Sequence, residues 1–315
     1  MLKPFRYDIF IVAFFCLFFV ACDVGDERDL CCDRVVMEYI YLTDGKEQFK
    51  QNIRSMRHFL FDDSERFVRE VPSEGNLQLQ YLDDMEAGTY TMITVGNAGQ
   101  STLIETPEQG SHAEDFLLRI AGTKGENADP LYYGIKRFTL NMKSDSREQH
   151  FVTHMANVHC KLRIKVVWKN LPPLMSNEPC YRISLSGCAT TYELDGKQGY
   201  PLGEKHIPYA SDWTGEHHLD CALESLELKA NFITLRCTND NAPLLNVWCR
   251  KEEGYVPVTP EIDLKRAFAA WGYRLSTVER QEYGIIVTVY LDGHVGVKLE
   301  AEVGVQDWMD GGSFG

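Results

Sequence analysis

The chain has 315 residues, of which 44% are hydrophobic and 25% charged, and its formal charge is −14. That balance is globular and excludes a disordered chain, a collagen and a polytopic membrane protein; the acidic charge gives nucleic-acid binding no electrostatic support. The length fits about two domains, and ten cysteines point to an oxidising compartment.

At the N-terminus, Lys3 and Arg6 precede an unbroken apolar run of 12 residues, Ile9 to Val20. A membrane-spanning helix needs about 20, so the run fits a signal-peptide core and residues 1–21 are expected to lie outside the fold. It ends in Phe19-Val20-Ala21-Cys22. A small residue before a cysteine resembles the lipobox of bacterial lipoproteins, although leucine is usual where Phe19 stands. The resemblance implies that Cys22 takes diacylglyceryl and acyl (palmitate-type) chains and becomes the mature N-terminus. Several such chains, at ~0.8 kcal/mol per buried methylene, would hold the protein firmly in a membrane. The alternative is an ordinary cleaved signal that leaves Cys22 a plain thiol. Residues 22–33 read as a tether. Its Asp23-Val24-Gly25-Asp26-Glu27-Arg28-Asp29 resembles the acidic export signal of surface-exposed lipoproteins in the Bacteroidetes.

Beyond the tether the chain reads as short strands, an all-β pattern with a few short helices. Arg34–Leu42 is rich in Val, Ile and Tyr, which favours strand. Phe49, Ile53 and Met56 have helical spacing. A strand near His58–Phe61, a turn at Asp62-Asp63-Ser64 and a returning arm Arg66–Val71 follow. Gly88–Val95 is a strand, His112–Ile120 a brief helix, and Tyr132–Met142 another strand. Polar Lys143–Gln149 reads as an interdomain linker, so domains are expected at 34–146 and 150–315. The second holds strands Cys160–Trp168, Tyr181–Ser186, Leu226–Arg236 and Leu244–Arg250. A helix follows, with Thr259 as its cap, Pro260 in its first turn, Leu264, Ala267, Phe268 and Trp271 on one face, and Gly272 as its stop. Gly284–Leu291 runs into Asp292-Gly293, a hairpin turn. Then Val295, Val297, Leu299, Ala301, Val303 and Val305 alternate with polar residues and glycines over 12 positions. Such a segment is either a long core strand or a strand added to another subunit's sheet.

Few residues carry a chemical signal. His217-His218, with Glu216, Asp220 and Cys221, is the most metal-like group. Adjacent side chains diverge on a strand, however, and the spaced ligand pairs of zinc sites are missing; no metal is expected. No nucleophile elbow, zinc-protease, P-loop or dinucleotide motif occurs, so no catalytic residue and no cofactor are assigned. Tyr209 and Trp213 are candidate glycan contacts. The six cysteines from Cys160 to Cys249 are expected to form structural bonds within the second domain, or to stay reduced.

A family resemblance unites these features. The lipobox cysteine, a second cysteine about ten residues on, the strand Val35-Val36-Met37-Glu38-Tyr39-Ile40-Tyr41, Asp44-Gly45 and Phe49, Phe59 to Asp62, Ala87-Gly88-Thr89-Tyr90 and the terminal Val303-Gly304-Val305-Gln306-Asp307-Trp308 resemble the FimB/Mfa2 family of fimbrial subunits. Cys31-Cys32 departs from it, since the family often has one cysteine followed by proline. The resemblance implies two tandem transthyretin-like Greek-key β-sandwich domains. It also implies a lipoprotein at the base of a fimbrium, in the outer membrane, that limits fimbrium length and does no chemistry. Its partners would be fimbrial subunits, joined by strand addition. The donor or edge strand would carry Val297, Leu299, Ala301, Val303 and Val305. A stalk or tip adhesin subunit and a glycan-binding surface lipoprotein are the alternatives. Arg54, Arg57, Arg66 and Arg69 lie near expected loops, where an Arg-specific protease trims related stalk subunits.

Overall fold

The computed structural model describes residues 34–300, apart from 74, 84, 100, 121–126, 142–147, 170–180, 194–197, 200–208, 214–215, 221–222, 239–242, 276–278 and 291. These residues form two tandem β-sandwiches with two short helices, Phe49–Asn52 and Leu264–Ala270.

The first sandwich faces a three-stranded sheet against a five-stranded one. The smaller sheet has the order Glu148–His154, Arg34–Ile40, Leu79–Leu82; the larger runs Ala156–Asn157, Tyr132–Leu140, Gly88–Gly96, Met56–Phe61, Phe67–Val71. The chain passes repeatedly from one sheet to the other, as in Greek-key folds. Val35, Met37, Tyr39, Leu60, Met92 and Phe138 fill the space between them. The outer face of the larger sheet is buried as well. Phe59, Phe61, Phe67, Ile93 and Val95 pack there against Phe116, Leu118 and Leu131, and against Ala189 and Leu235 from the second half.

The second sandwich has one sheet in the order Glu216–Asp220, Leu223–Leu235, His159–Lys169, Gln281–Val289, Val295–Leu299. Its other sheet runs Tyr209–Trp213, Tyr181–Ser186, Leu244–Lys251, Gly254–Pro257. His159–Lys169 alternates strictly. Cys160, Leu162, Ile164, Val166 and Trp168 face the core, and Lys161, Arg163 and Lys165 face outward. That period of two is what a strand with one buried face requires.

Several elements differ from the sequence reading. The polar stretch 143–149 does not mark the end of the first sandwich. Glu148–His154 pairs in parallel with Arg34–Ile40, and Ala156-Asn157 pairs with Tyr132-Tyr133. Phe151 and Met155 join the first core, with the Phe151 ring 5.0 Å from that of Phe138. The strand's exposed polar residues, Glu148 and His150, conceal that role. His112–Ile120 is not a helix: a 3-10 turn, Ala113–Asp115, leads into the strand Leu117–Ile120. This strand lies between Thr102–Ile104 and Thr191–Glu193 and so pairs the two halves of the chain. Helix Leu264–Ala270 is capped by Asp263, whose carboxylate accepts the Arg266 N–H at 3.1 Å, and not by Thr259. Ile262-Asp263 is paired with Leu244-Leu245, which holds the backbone extended until Asp263. Gly272, at φ +82°, ends the helix as expected.

Candidate anchoring and assembly site

Cys22 and the tether lie outside the described residues. The first described residue is Arg34, and its strand is central: Arg34–Ile40 has seven parallel register pairs with Glu148–His154 and four antiparallel pairs with Leu79–Leu82. Val35, Met37 and Tyr39 are fully buried. The Tyr39 hydroxyl lies 3.1 Å from His58 Nδ1 and accepts from Thr94 Oγ1 at 3.0 Å, and His58 Nδ1 is 3.0 Å from the same Thr94 oxygen. Burial pushes His58 down to about 4 and raises Tyr39 above its ordinary value. Both groups are therefore neutral at pH 7, as a low-dielectric interior demands.

The other end of the chain forms a hairpin. Gln281–Val289 pairs with Val295–Leu299, and Val287 faces Val297. The connection is the one expected at Asp292-Gly293: Gly293 sits at φ +80°, its N–H bonds Tyr290 O at 3.0 Å, and Asp292 Oδ1 accepts the His294 N–H at 2.9 Å. Glycine adopts that left-handed conformation without the steric penalty of a Cβ. Among the described residues, Val295–Leu299 is the outermost strand of its sheet. Val295, Val297 and Leu299 are half-buried against the second core. Ala301, Val303 and Val305 lie outside the described residues.

The remaining candidates are dispersed. Tyr209–Trp213 is also an outermost described strand, with Tyr209 in register with Leu185 and Trp213 with Tyr181. His217 and His218 lie in the strand Glu216–Asp220, and among the described residues no cluster of three His, Cys, Asp or Glu groups could hold a metal. Cys160, Cys188, Cys237 and Cys249 are free thiols, the reduced alternative for these four. The first three are buried with the apolar core, where cysteine acts as a small hydrophobe. Burial, and then the hydrogen-bonded Cys237 thiol, push the Cys160 thiol well above its ordinary value. The arginines are engaged in the fold. Arg57 lies in a strand and pairs with Glu70 at 2.7 Å, Arg69 lies in the facing strand, and Arg54 donates to Lys50 O and Gln51 O.

Residues 29–309 match the model of the fimbrillin-A associated anchor proteins Mfa1 and Mfa2. The chain belongs to this family. Among solved structures, a candidate adhesin from Bacteroides thetaiotaomicron superposes with a TM-score of 0.65 at 16% identity, covering 85% of this chain and 96% of that one. A candidate polysaccharide-binding protein from the same organism gives 0.63 at 14%, covering 87% and 99%. The fimbrial anchor protein Mfa2 from Porphyromonas gingivalis gives 0.60 at 16%, covering 85% and 97%. At these identities the likeness is one of fold. No curated protein sequence matches the chain. Membership gives the chain a fimbrium-associated, structural role. Among the described residues no helix is long and apolar enough to cross a membrane.

Two features of this family member were not read from its sequence. One is the parallel pairing of the entry strand with Glu148–His154. The only local trace is the alternation of Phe151, Thr153 and Met155. The other is the strand Leu117–Ile120 that joins the halves, whose Phe116, Leu117 and Ile120 also satisfy a helical spacing.

Proposed function

We propose that the protein is a lipid-anchored base subunit. It holds a fimbrium to the outer membrane through Cys22 and nucleates or limits assembly through strand contacts. The observation that supports this reading most directly is the position of Arg34–Ile40. The strand next to the tether is bonded on both sides and buried on its core face. A lipid at Cys22 would therefore be joined to the middle of a sheet. The hairpin supports the assembly half: Val295–Leu299 is an outermost described strand, and a partner strand can add to such an edge. In this reading Val297 to Val305 supply that edge or donor strand, and no catalysis is involved.

The test is a Cys22→Ala strain, in which attached and shed fimbriae are counted by electron microscopy beside wild type. We expect a large rise in free or unusually long fimbriae. Normal attachment, with the variant folded and exported, would refute the anchor.

A further inference from the structure

The two ends of the first sandwich's parallel pair are connected to different things. Arg34, at the start of one strand, is twelve positions after Cys22. His154, at the end of its partner, continues through Met155 and Asn157 into His159–Lys169, the central strand of the second sandwich. Arg34 is in register with Glu148, and His154 with Ile40. The point of entry and the point of exit are therefore at opposite ends of the pair.

That geometry decides how the pair responds to tension. A pull that separates the same ends of two strands peels the ladder, one bond at a time. A pull on opposite ends acts along the strands, and the bonds must yield together. Parallel ladder bonds are evenly spaced, so all seven register pairs share the load. The entry strand is further held by Leu79–Leu82 on its other side, by the Tyr39 N–H bond to Gln78 O at 2.9 Å, and by the buried Tyr39–His58–Thr94 group. At the far end, the Met155 N–H bonds Ile40 O at 2.8 Å.

We propose that Arg34–Ile40 and Glu148–His154 form a force-bearing clamp. It holds by shear when the lipidated N-terminus and the second sandwich are drawn apart. The inference rests on the anchor reading for the source of the load: a long polymer on the second sandwich, resisted by the membrane. The second sandwich repeats the device with nine parallel pairs between His159–Lys169 and Gln281–Val289.

The experiment is single-molecule pulling of the non-acylated chain in two geometries. An azide-bearing residue at Asp29 takes one handle in both. The second handle is at exposed His154 for shear, or at exposed Glu148 for peeling. Both chains carry two substitutions, one at each handle, and circular dichroism checks their fold. If the Glu148 variant misfolds, Arg147 takes the peeling handle. At equal loading rate the shear geometry is expected to give at least about twofold higher unfolding force, because forced unfolding follows the barrier along the pulled path. Equal forces, or a stronger peeling geometry, would overturn the clamp and leave the anchor reading intact. Normal attachment in the Cys22→Ala strain would instead remove the anchor reading, whatever the force ratio.

Discussion

The two sandwiches solve the same packing problem with different chemistry. The five-stranded sheet of the first is buried on both faces, by aliphatic and Tyr side chains within and by a phenylalanine cluster without. The strand His159–Lys169 of the second has one buried face, and its outer face carries ion pairs such as Lys161–Glu282 at 3.1 Å and Arg163–Glu300 at 2.8 Å. A buried polar side chain also ties the second together. Gln281 accepts the Cys237 N–H at 2.7 Å and donates to Cys237 O and Leu275 O, so both amide protons and the amide oxygen are engaged. Two-faced burial exists because the first sandwich is also the docking surface for the second. The halves meet over that phenylalanine cluster and through a shared ladder.

The most severe test of that contrast is Phe116→Ala. Phe116 is buried, with its ring 4.7 Å from Phe59 and 6.4 Å from Phe61. Removing a buried phenylalanine leaves a cavity and should cost about 3–5 kcal/mol. Because Ala189 and Leu235 complete the same cluster, urea unfolding should show both halves weakened together. A loss confined to the first half, or one below about 1 kcal/mol, would mean that the halves are energetically separate.

This contrast also explains what could be read in the sequence. His159–Lys169 and the terminal hairpin were legible because one buried face leaves a period of two, and Asp292-Gly293 marks the turn. Met56–Phe61 is legible as a strand near His58–Phe61 but not by alternation, since a strand buried on both faces does not alternate. Leu117–Ile120 reads as a helix because its strand pairing depends on partners about seventy residues away, which no local window contains. The expected linker Lys143–Gln149 overlaps the first two residues of Glu148–His154, and the expected second domain takes in the rest, because the strand's polar side chains reach solvent while its backbone completes a sheet. Gly134 adds another non-local constraint: a Cβ there would meet Met155 Sδ at 2.7 Å and Thr153 Cγ2 at 2.9 Å. The glycine permits the crossing from one sheet to the other.

A pH experiment compares the regions through one buried histidine in each. His58 lies in the first core, lowered to about 4 by burial. His159, at the start of the second sandwich, is lowered to about 3 by burial and then by Lys161. It donates from Nδ1 to Leu131 O at 2.8 Å and is neutral. Between an unfolded value of about 6.5 and these folded values, the unfolded chain binds protons that the native chain does not. Stability therefore falls as pH falls through that window. From pH 7 to pH 5 each histidine should contribute a loss of about 2 kcal/mol. Urea midpoints measure it. His58→Gln, which keeps a hydrogen-bonding side chain but does not titrate, should remove about half of the histidine-linked slope. An unchanged slope would show that His58 is not held neutral by its burial.

The smallest effect concerns the outer face of the second sandwich. Arg163 is in register with Gly284, and the Glu300 N–H bonds Gly284 O at 2.8 Å, so the three residues line up across three strands. Gly284 presents no side chain between the charges, and the guanidinium spans it to reach Glu300. The pair is about a quarter to a third exposed, 24% and 32%, so solvent screens it. A double-mutant cycle with Arg163→Ala and Glu300→Ala should give a coupling of about 0.2–1 kcal/mol, and less in high salt. A coupling above about 2 kcal/mol would put this pair outside the range of screened surface bridges. The outer face would then join the core in holding the hairpin strand. An edge pinned that firmly would be a poor donor to another subunit and a better fixed template for an incoming strand. The cycle therefore bears on which of the two roles Val295–Leu299 plays, as well as on the energy of one ion pair.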